Sequence, residues 1–230
     1  MSAIPSQVRP DDSPADGTKW DRQLAMFAWA GIIGPVLFTA VFLAQERFRA
    51  KEYDPIAETV SALEVGPNGW IQQINFAVFG LLTILFAVGL HRGLRPTRAG
   101  ILGPVLMTFS GVGLLLVTVL PLREDAAGVT YDPGGHIAGG VMFFMTSALS
   151  LIVLSRRIAN DQRWSSLARY TLVAGIIALA GFFAGGIFVM PDDAPLHQWA
   201  GLVQRTIILL VLFPCRVILS VRLLRVARGA

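Results

Sequence analysis

Two histidines share a local pattern that could do chemistry. Asp132 precedes His136 by four residues, Asp193 precedes His197 by four, and a glycine follows each histidine by four. Imidazole and carboxylate groups bind first-row metals, and two histidines can be the axial ligands of one haem. A neutral histidine that opens a helix can equally cap or pack. The pattern therefore leaves three roles open for His136 and His197: metal binding, haem binding or a structural role. It assigns no cofactor.

Other polar residues that could line a binding or catalytic site lie in the two segments before these histidines. They are Asp54, Glu58, Ser61 and Asp125. Ser61 would act as a nucleophile only beside a base and an oxyanion site, and the chain has no Gly-x-Ser-x-Gly motif. The alternative is that Ser61 caps a short interfacial helix over 59–64.

Arg205 is a charged residue within a long apolar stretch. It follows His197 by eight residues, which places it about 12 Å deeper along a helix. A lipid-exposed arginine at such depth costs about 2.5–3.5 kcal/mol, so we expect it to face inward. Gln198 is seven residues earlier and should share its helix face. Arg205 would either hold an anionic ligand or lock the last helix to the bundle.

We expect this arginine to find partners on other elements. The acidic candidates are Glu58, Asp125, Asp132 and Asp193, and the amides at matching depth are Gln72, Gln73, Asn75 and Gln204. Five N–H donors would then tie the last helix to the second and fourth. Arg216, nearer the other end of the same helix, should reach the headgroups there. Cys215 is expected to be a small buried hydrophobe.

The elements that position these residues are membrane-spanning helices. Of 230 residues, 54% are hydrophobic and 15% charged, with mean hydropathy +0.61, whereas soluble domains average about 25% charged. The apolar residues form long blocks, and a bilayer span needs about 20 of them. Six spans are predicted, over about 23–44, 71–90, 99–120, 136–154, 167–190 and 199–221.

The predicted fold is thus all-α, a polytopic bundle of six transmembrane helices. Residues 1–22 are polar and proline-rich, which predicts a disordered tail. Residues 23–222 form the transmembrane domain, and 223–230 a short basic tail. The composition predicts the lipid bilayer as partner and excludes nucleic acid, because the basic residues cluster at helix ends without an aromatic-basic patch.

Basic residues predict the orientation. On one side lie four groups of three: Arg9, Lys19 and Arg22; Arg92, Arg95 and Arg98; Arg156, Arg157 and Arg163; Arg222, Arg225 and Arg228. The other side has four: Arg47, Arg49, Lys51 and Arg123. The positive-inside rule places the first side in the cytoplasm. The expected location is the cell membrane, with both termini cytoplasmic and the candidate site extracytoplasmic.

A short motif repeats near the start of odd-numbered helices. Residues 30–37 read AGIIGPVL, residues 99–106 read AGILGPVL, and residues 174–177 read AGII. The copies run in one direction through the membrane, so three similar hairpins would form a parallel pseudo-repeat. Glycines at this spacing permit close helix approach. Chance in a chain rich in small and apolar residues is the alternative.

These motifs, taken in order, resemble the bacterial and archaeal membrane family called domain of unknown function 998, over about residues 24–222. The resemblance rests on Gly-x-x-Gly-Pro in helix one, Tyr53-Asp54-Pro55, Val60-Ser61-Ala62-Leu63, Gly66-Pro67-Asn68-Gly69-Trp70, Phe79-Gly80, Gly89-Leu90, His136 and Gly201-Leu202-Val203-Gln204-Arg205. The family ends helix three with Phe-Pro-x-Asp, where this chain has Leu120-Pro121-Leu122-Arg123-Glu124-Asp125, so Glu124 and Asp125 share that position. The resemblance implies a topology and no activity.

Three functions fit the sequence. The first is a ligand-binding protein, transporter or sensor with a polar pocket at the extracytoplasmic face for a small ligand, ion or lipid. The second is an integral membrane enzyme that acts on lipid in the outer leaflet through Asp, His and Ser. The third is an accessory subunit that contacts a membrane-protein partner or a second copy of itself. The inner halves of the helices show little polarity, which disfavours transport.

Overall fold

The computed structural model describes residues 17–94 and 100–229, and for residues 17–21 it describes the backbone only. The long helices are α1 Gly17–Phe48, α2 Trp70–Gly93, α3 Leu102–Val119, α4 His136–Ala159 and α5 Ala168–Phe188. The last span consists of α6 Ala200–Thr206, a π-helical segment Ile207–Leu212 and α7 Phe213–Ala227. All six predicted spans are present, and each is long and apolar enough to cross a membrane.

Short elements lie in the connections. There are 3₁₀ helices at Val60–Glu64, Ser165–Leu167 and His197–Trp199. Strands β1 Arg123–Glu124 and β2 Thr130–Tyr131 form an antiparallel hairpin in which Arg123 pairs with Tyr131. The 3₁₀ helix at Val60–Glu64 confirms the short helix expected there, but its N-cap is Thr59 rather than Ser61. The hairpin was not expected, because its strands have two residues each.

Two helix ends differ from the predicted bounds. Helix α1 begins at Gly17, so six residues of the predicted 1–22 tail are helical, and residues 1–16 lie outside the described part of the chain. Helix α7 continues to Ala227 through most of the predicted 223–230 tail. Arg225 in its last turn suits the negative end of the helix dipole, which supports continuation past the apolar block.

The helices form a closed ring. Each long helix packs against the next in sequence, and α7 packs against both α1 and α2. The connections at residues 49–69, 120–135 and 189–199 lie at one end of the bundle, the long-loop end. The end of α2 at Gly93, the start of α3 at Leu102 and the connection at residues 160–167 lie at the other, the short-loop end. The candidate site residues therefore gather at the long-loop end.

Aromatic side chains and glycines fill the inside of the ring. The ring centroid of Phe38 lies 4.8 Å from that of Phe79 and 6.0 Å from that of Phe213, and Phe79 lies 5.2 Å from Phe213. A Cβ on Gly80 would stand 2.8 Å from the Gly111 carbonyl oxygen. Small residues at this crossing allow α2 and α3 to pack backbone against backbone.

The two long copies of the repeated motif occupy different places in their helices. Pro35 lies inside α1, eighteen residues after its start at Gly17, whereas Pro104 lies in the first turn of α3. The copy in α1 therefore lies further into its helix than the copy in α3 does. Gly103 does allow the expected close approach, because its Cβ would stand 2.6 Å from Leu154. The three-hairpin pseudo-repeat stays a prediction.

The last span changes its winding in the middle. Ile207–Leu212 is π-helical, and Pro214 follows at the start of α7. Proline has no N–H for the carbonyl four residues earlier, so regular α-helical bonding is interrupted there. The wider π turn lies between Arg205 and Arg216, and such turns are frequent at functional sites.

Candidate functional site

Arg205 is the centre of a buried network at the long-loop end. Its Nε and Nη2 donate to Glu46 Oε1 at 2.9 and 2.6 Å, and its Nη1 donates to the Glu58 carbonyl at 2.8 Å. Nη2 also donates to the Tyr53 hydroxyl. The guanidinium carbon stands 5.6 Å from the centre of the Tyr53 ring. The charge is thus compensated by a carboxylate and delocalised over several acceptors.

The first loop is seated on the start of α6. The N–H groups of Gly201 and Leu202 donate to the carbonyls of Ala57 and Ile56 at 3.2 and 2.9 Å. The first N–H groups of a helix have no partner inside it, so these loop carbonyls satisfy them. A Cβ on Gly201 would stand 2.2 Å from the Glu58 carbonyl oxygen. Only glycine therefore allows the loop to come this close.

Tyr53 links the loop to this network. Its hydroxyl donates to the Thr59 carbonyl at 2.8 Å and accepts from Arg205. Burial raises the pKa of Tyr53 above its ordinary value, and the neighbouring Arg205 offsets that rise only in part. The phenol therefore stays protonated and keeps donating over the physiological pH range.

The expectation that Arg205 faces inward and meets an acid is confirmed, but its predicted partners are wrong. The acid is Glu46, in the last turn of α1, which was not among the candidates. Glu58 takes part through its carbonyl oxygen only. Arg205 joins the last span to α1 and the first loop rather than to α2 and α4, because ring closure places the last span beside α1.

The expected companions of Arg205 also lie elsewhere. Gln198 is exposed, in the 3₁₀ turn His197–Trp199, so the seven-residue α-helical spacing to Arg205 is lost. The Gln204 side-chain oxygen instead accepts from the Val60 N–H at 2.8 Å, which joins the 3₁₀ helix of the first loop to α6.

Two buried amides join α2 to α1. Gln45 Nε2 donates to Gln72 Oε1 at 2.8 Å, and Asn75 Nδ2 donates to the Phe38 carbonyl at 3.1 Å. Gln72 and Asn75 were expected beside Arg205. They form hydrogen bonds with residues of α1 instead, because α1 is the neighbour of α2 in the ring.

His136 forms a buried pair with Glu64. Its Nδ1 lies 2.7 Å from Glu64 Oε1, and the two side chains are 7% and 0% exposed. The same oxygen accepts from the Leu122 N–H at 2.8 Å. The 3₁₀ helix of the first loop carries Glu64 inward, and sequence reasoning missed this residue. Its place in the apolar run Val60–Val65 was the available signal.

The second histidine has different surroundings. His197 is 45% exposed in its side chain, with Nδ1 3.3 Å from the Val189 carbonyl and Nε2 4.0 Å from Asp192. Within residues 17–94 and 100–229, no group of three or more His, Cys, Asp or Glu side chains could hold a metal ion. The shared metal or haem site of His136 and His197 stays a prediction that gains no support from these partners.

Asp132 holds the start of α4. Its carboxylate accepts from the N–H groups of Gly134 at 2.8 Å, His136 at 3.2 Å and Ile137 at 2.9 Å. Partial burial alone would raise the pKa of Asp132, but these three hydrogen bonds outweigh burial and lower it. Asp132 therefore satisfies backbone N–H groups at the start of α4, while the N-cap position itself is Gly135.

The remaining acidic candidates make local turn contacts or none. Asp54 Oδ1 accepts from the Ile56 N–H at 2.9 Å, and Glu58 Oε1 accepts from the Asp54 N–H at 2.8 Å. Asp125 Oδ1 accepts from two N–H groups within the hairpin. Asp193 is exposed. These carboxylates shape loops at the surface, away from the buried pairs.

A cavity of about 50 Å³ lies beside His136. Its polar lining residues are Ser61, His136 and Gln204, and its apolar and small ones are Phe38, Val60, Phe76, Leu114, Val117, Gly140, Phe143, Phe144, Ile208 and Phe213. The Ser61 hydroxyl lies 3.0 Å from that of Thr59. Two sequence candidates, Ser61 and His136, thus meet at one cavity, called the outer cavity below.

Arg216 does not reach the headgroups as expected. It is 6% exposed and points into the bundle, where Nη1 donates to the Thr83 hydroxyl at 2.9 Å. Its guanidinium stacks near the rings of Phe79 and Phe86, at 4.9 and 5.5 Å. Packing of α7 against α1 and α2 turns this helix face inward. Cys215 is buried as expected.

A ring of six apolar helices with buried polar pairs near one end defines a multi-pass membrane protein. The chain belongs to the family described as Protein of unknown function (DUF998), whose sequence profile matches residues 32–219. That match confirms the resemblance drawn from the motifs. No curated protein matches the chain, and no solved structure does.

Proposed function

We propose that the outer cavity binds an amphipathic, lipid-type ligand whose hydrogen-bonding group meets Ser61, His136 and Gln204. The observation that carries this proposal is the division of the cavity lining into three polar side chains and a large aromatic and aliphatic remainder. Binding pockets for small molecules have this character, with a few placed polar groups in an apolar wall.

The polar groups around the cavity have unused hydrogen-bonding capacity. Nδ1 of His136 faces the Glu64 carboxylate at 2.7 Å, so Nε2 is the ring nitrogen that we expect to meet a ligand. Gln204 uses its oxygen for Val60 and keeps its amide N–H donors. These groups suit a hydroxyl, ester or phosphate oxygen on the ligand.

The size of the cavity limits what enters it. A volume of about 50 Å³ compares with about 10–15 Å³ for one water by the same measure. This is room for a small head group or the end of a chain. The rest of the ligand would then extend from the cavity towards the bilayer.

The proposed setting is the cell membrane, with both termini in the cytoplasm and the long-loop end outside. Support comes from the basic residues, which are three times more numerous on the short-loop side. The ligand would then come from the outer leaflet or the extracytoplasmic space.

A second candidate function is hydrolysis of such a lipid. The observation that favours it is the buried Glu64–His136 pair beside Ser61 on one cavity, since a carboxylate-oriented imidazole can act as a general base. Ser61 is the candidate nucleophile, although its hydroxyl faces Thr59 in this structure. Substituting Ser61→Ala should abolish turnover and leave binding if this second function holds.

Glycine substitutions test the binding proposal cleanly. A Cβ on Gly140 meets nothing within 4 Å, and this residue lines the outer cavity, so we expect the Gly140→Leu side chain to occupy part of the cavity. Gly186 also has open space but lies exposed on α5, so Gly186→Leu is the matched control.

The measurement is cross-linking in vesicles that contain a phospholipid with a diazirine in its acyl chain. We expect labelled peptides from the cavity wall, including Phe143 and Phe144, in the parent and in Gly186→Leu. Gly140→Leu should lose this labelling and keep labelling of the outer helix faces. Equal labelling in all three proteins would contradict the proposal.

A further inference from the structure

Arg216 differs from the other buried arginines in what compensates its charge. Arg205 meets the carboxylate of Glu46, and Arg157 donates to the carbonyls of His91 and Leu94 at the end of α2. Arg216 has one hydroxyl, Thr83, and the thioether of Met107 at 3.4 Å. Across residues 17–94 and 100–229, no carboxylate lies within ion-pair distance of it.

Arg216 also lies deep in the membrane span. Its partner Thr83 is the fourteenth of the 24 residues of α2. Half of a hydrocarbon core of about 30 Å is about 15 Å, so the guanidinium is near the middle. A buried charge there requires compensation, because burial removes its hydration.

The contacts that Arg216 has do not neutralise it. Phe79 and Phe86 present ring electrons, and Thr83 presents one oxygen, but each of these groups is uncharged. Sulfur is a weak acceptor. Of the five guanidinium N–H groups, the hydroxyl and the thioether engage only part. An anion would supply the missing negative charge and a further acceptor.

A second cavity, of about 20 Å³, lies beside Arg216. Its lining residues are Phe79, Met107, Phe143, Ser147, Leu151, Leu212, Phe213 and Arg216. One water-sized particle needs about 10–15 Å³ by this measure. The space therefore suits a single water or a single monatomic ion, and it lies against the uncompensated cation. We call it the inner cavity.

Ser147 adds a hydrogen-bond donor to the same wall. Its hydroxyl lies 2.6 Å from that of Ser110, and either oxygen can be the donor of that bond. When Ser110 donates, the Ser147 O–H is free to donate into the inner cavity. A guanidinium and a hydroxyl then face one small space from two sides, a donor set that fits an anion.

We propose that the inner cavity binds one small monovalent anion of halide size between Arg216 and Ser147. This site is distinct from the outer cavity, although the rings of Phe143 and Phe213 line both. The anion would compensate Arg216 at mid-membrane. The site needs no lipid ligand and does not rest on the function proposed for the outer cavity.

Thermal unfolding of the purified protein in detergent tests this site with bromide as the probe. Bromide replaces gluconate, which is too large for the cavity, at constant ionic strength. We expect a saturable rise of about 2–5 °C in the midpoint for the parent protein. Arg222→Met, which removes a more exposed arginine from the same helix, should keep that rise.

Arg216→Met should abolish the bromide-dependent rise, and crystals soaked in bromide should show an anomalous peak beside Arg216 in the parent. If Arg216→Met does not fold, Ser147→Val takes its place, since it retains the arginine and removes the second donor. A parent protein that melts equally in bromide and gluconate overturns the proposal. So does a rise that persists unchanged in the Arg216→Met or Ser147→Val protein.

Discussion

The Arg205 guanidinium lies 2.6 Å from the Glu46 carboxylate, although 159 positions separate the two residues in the chain. Glu46 is near the end of the first span, and Arg205 is near the start of the last. Their side chains are 9% and 12% exposed. This ion pair joins the two helices that close the ring at its long-loop end.

Removing Arg205 should destabilise the protein strongly. Arg205→Ala leaves Glu46 buried without its partner, and breaking a buried ion pair in this way costs about 3–5 kcal/mol. Arg205→Lys should recover part of the loss, because an ammonium cannot reproduce the planar fork of donors. Thermal unfolding in detergent measures both, with Arg222→Ala as the exposed control. An unchanged midpoint in Arg205→Ala would show that the network does not hold the ring.

Glu64 should stabilise the protein through the hydrogen bond that its oxygen accepts more than through its negative charge. Glu64→Ala removes the acceptor of the Leu122 N–H and the carboxylate beside His136, and the unpaired N–H alone should cost about 1–3 kcal/mol. Glu64→Gln keeps one acceptor oxygen and should recover much of that stability. Glu124→Ala, in the exposed hairpin, serves as the control. If the Gln variant is as unstable as the Ala variant, the pair depends on charge.

Alkaline pH should weaken the protein through Tyr53. The pKa of Tyr53 is raised above its model-compound value of 10.0, so the folded protein holds this proton more tightly than the unfolded chain. The stabilisation is full below about pH 10 and is lost as pH rises above it. The absorbance of the phenolate, parent minus Tyr53→Phe, should appear only well above pH 10. Appearance of that difference near pH 10 would mean that Tyr53 is not buried.

Gly201 should tolerate no side chain. Gly201→Ala would place a Cβ 2.2 Å from the Glu58 carbonyl and 2.5 Å from that of Pro55, both backbone atoms. The first loop must then move off α6. Gly186→Ala, with open space around it, is the control. We expect protease sensitivity in the loop over 49–69 to rise at least several-fold in the first variant only, and equal digestion of both would contradict the close contact.

Reporter fusions test the orientation. Fusions after residues 95, 160 and 228 should report the cytoplasm, and fusions near 57, 128 and 193 should report the outside, as the distribution of basic residues predicts. A cytoplasmic signal at 128 would conflict with six spans, since the hairpin of β1 and β2 belongs to the long-loop end.

The spans could be read from the sequence because length and apolar character are local properties of each helix. The inward direction of Arg205 followed from depth alone. Its partner did not, because Glu46 becomes a neighbour only when the ring closes. Glu64 was missed for the same reason. Its carboxylate lies beside His136 because the first loop turns into the bundle, and the spacing of residues along the chain does not predict that turn.

Arg216 shows a different limit. Sequence position suggested that its side chain could extend to the nearer headgroups. The contact of α7 with both α1 and α2 turns this face of α7 into the bundle, so the same side chain points at Thr83. The direction in which a side chain on a membrane-spanning helix points depends on which helices pack beside it. An apolar helix surface gives little indication of those neighbours.

Ring closure by the last span has a consequence for biosynthesis. Helix α1 leaves the ribosome before the last span does, so Glu46 is made more than 150 residues before Arg205. Until then the nascent bundle is an open arc with an unpaired acid at its free edge. A chain that stops before residue 205 would leave Glu46 without its arginine and the ring open.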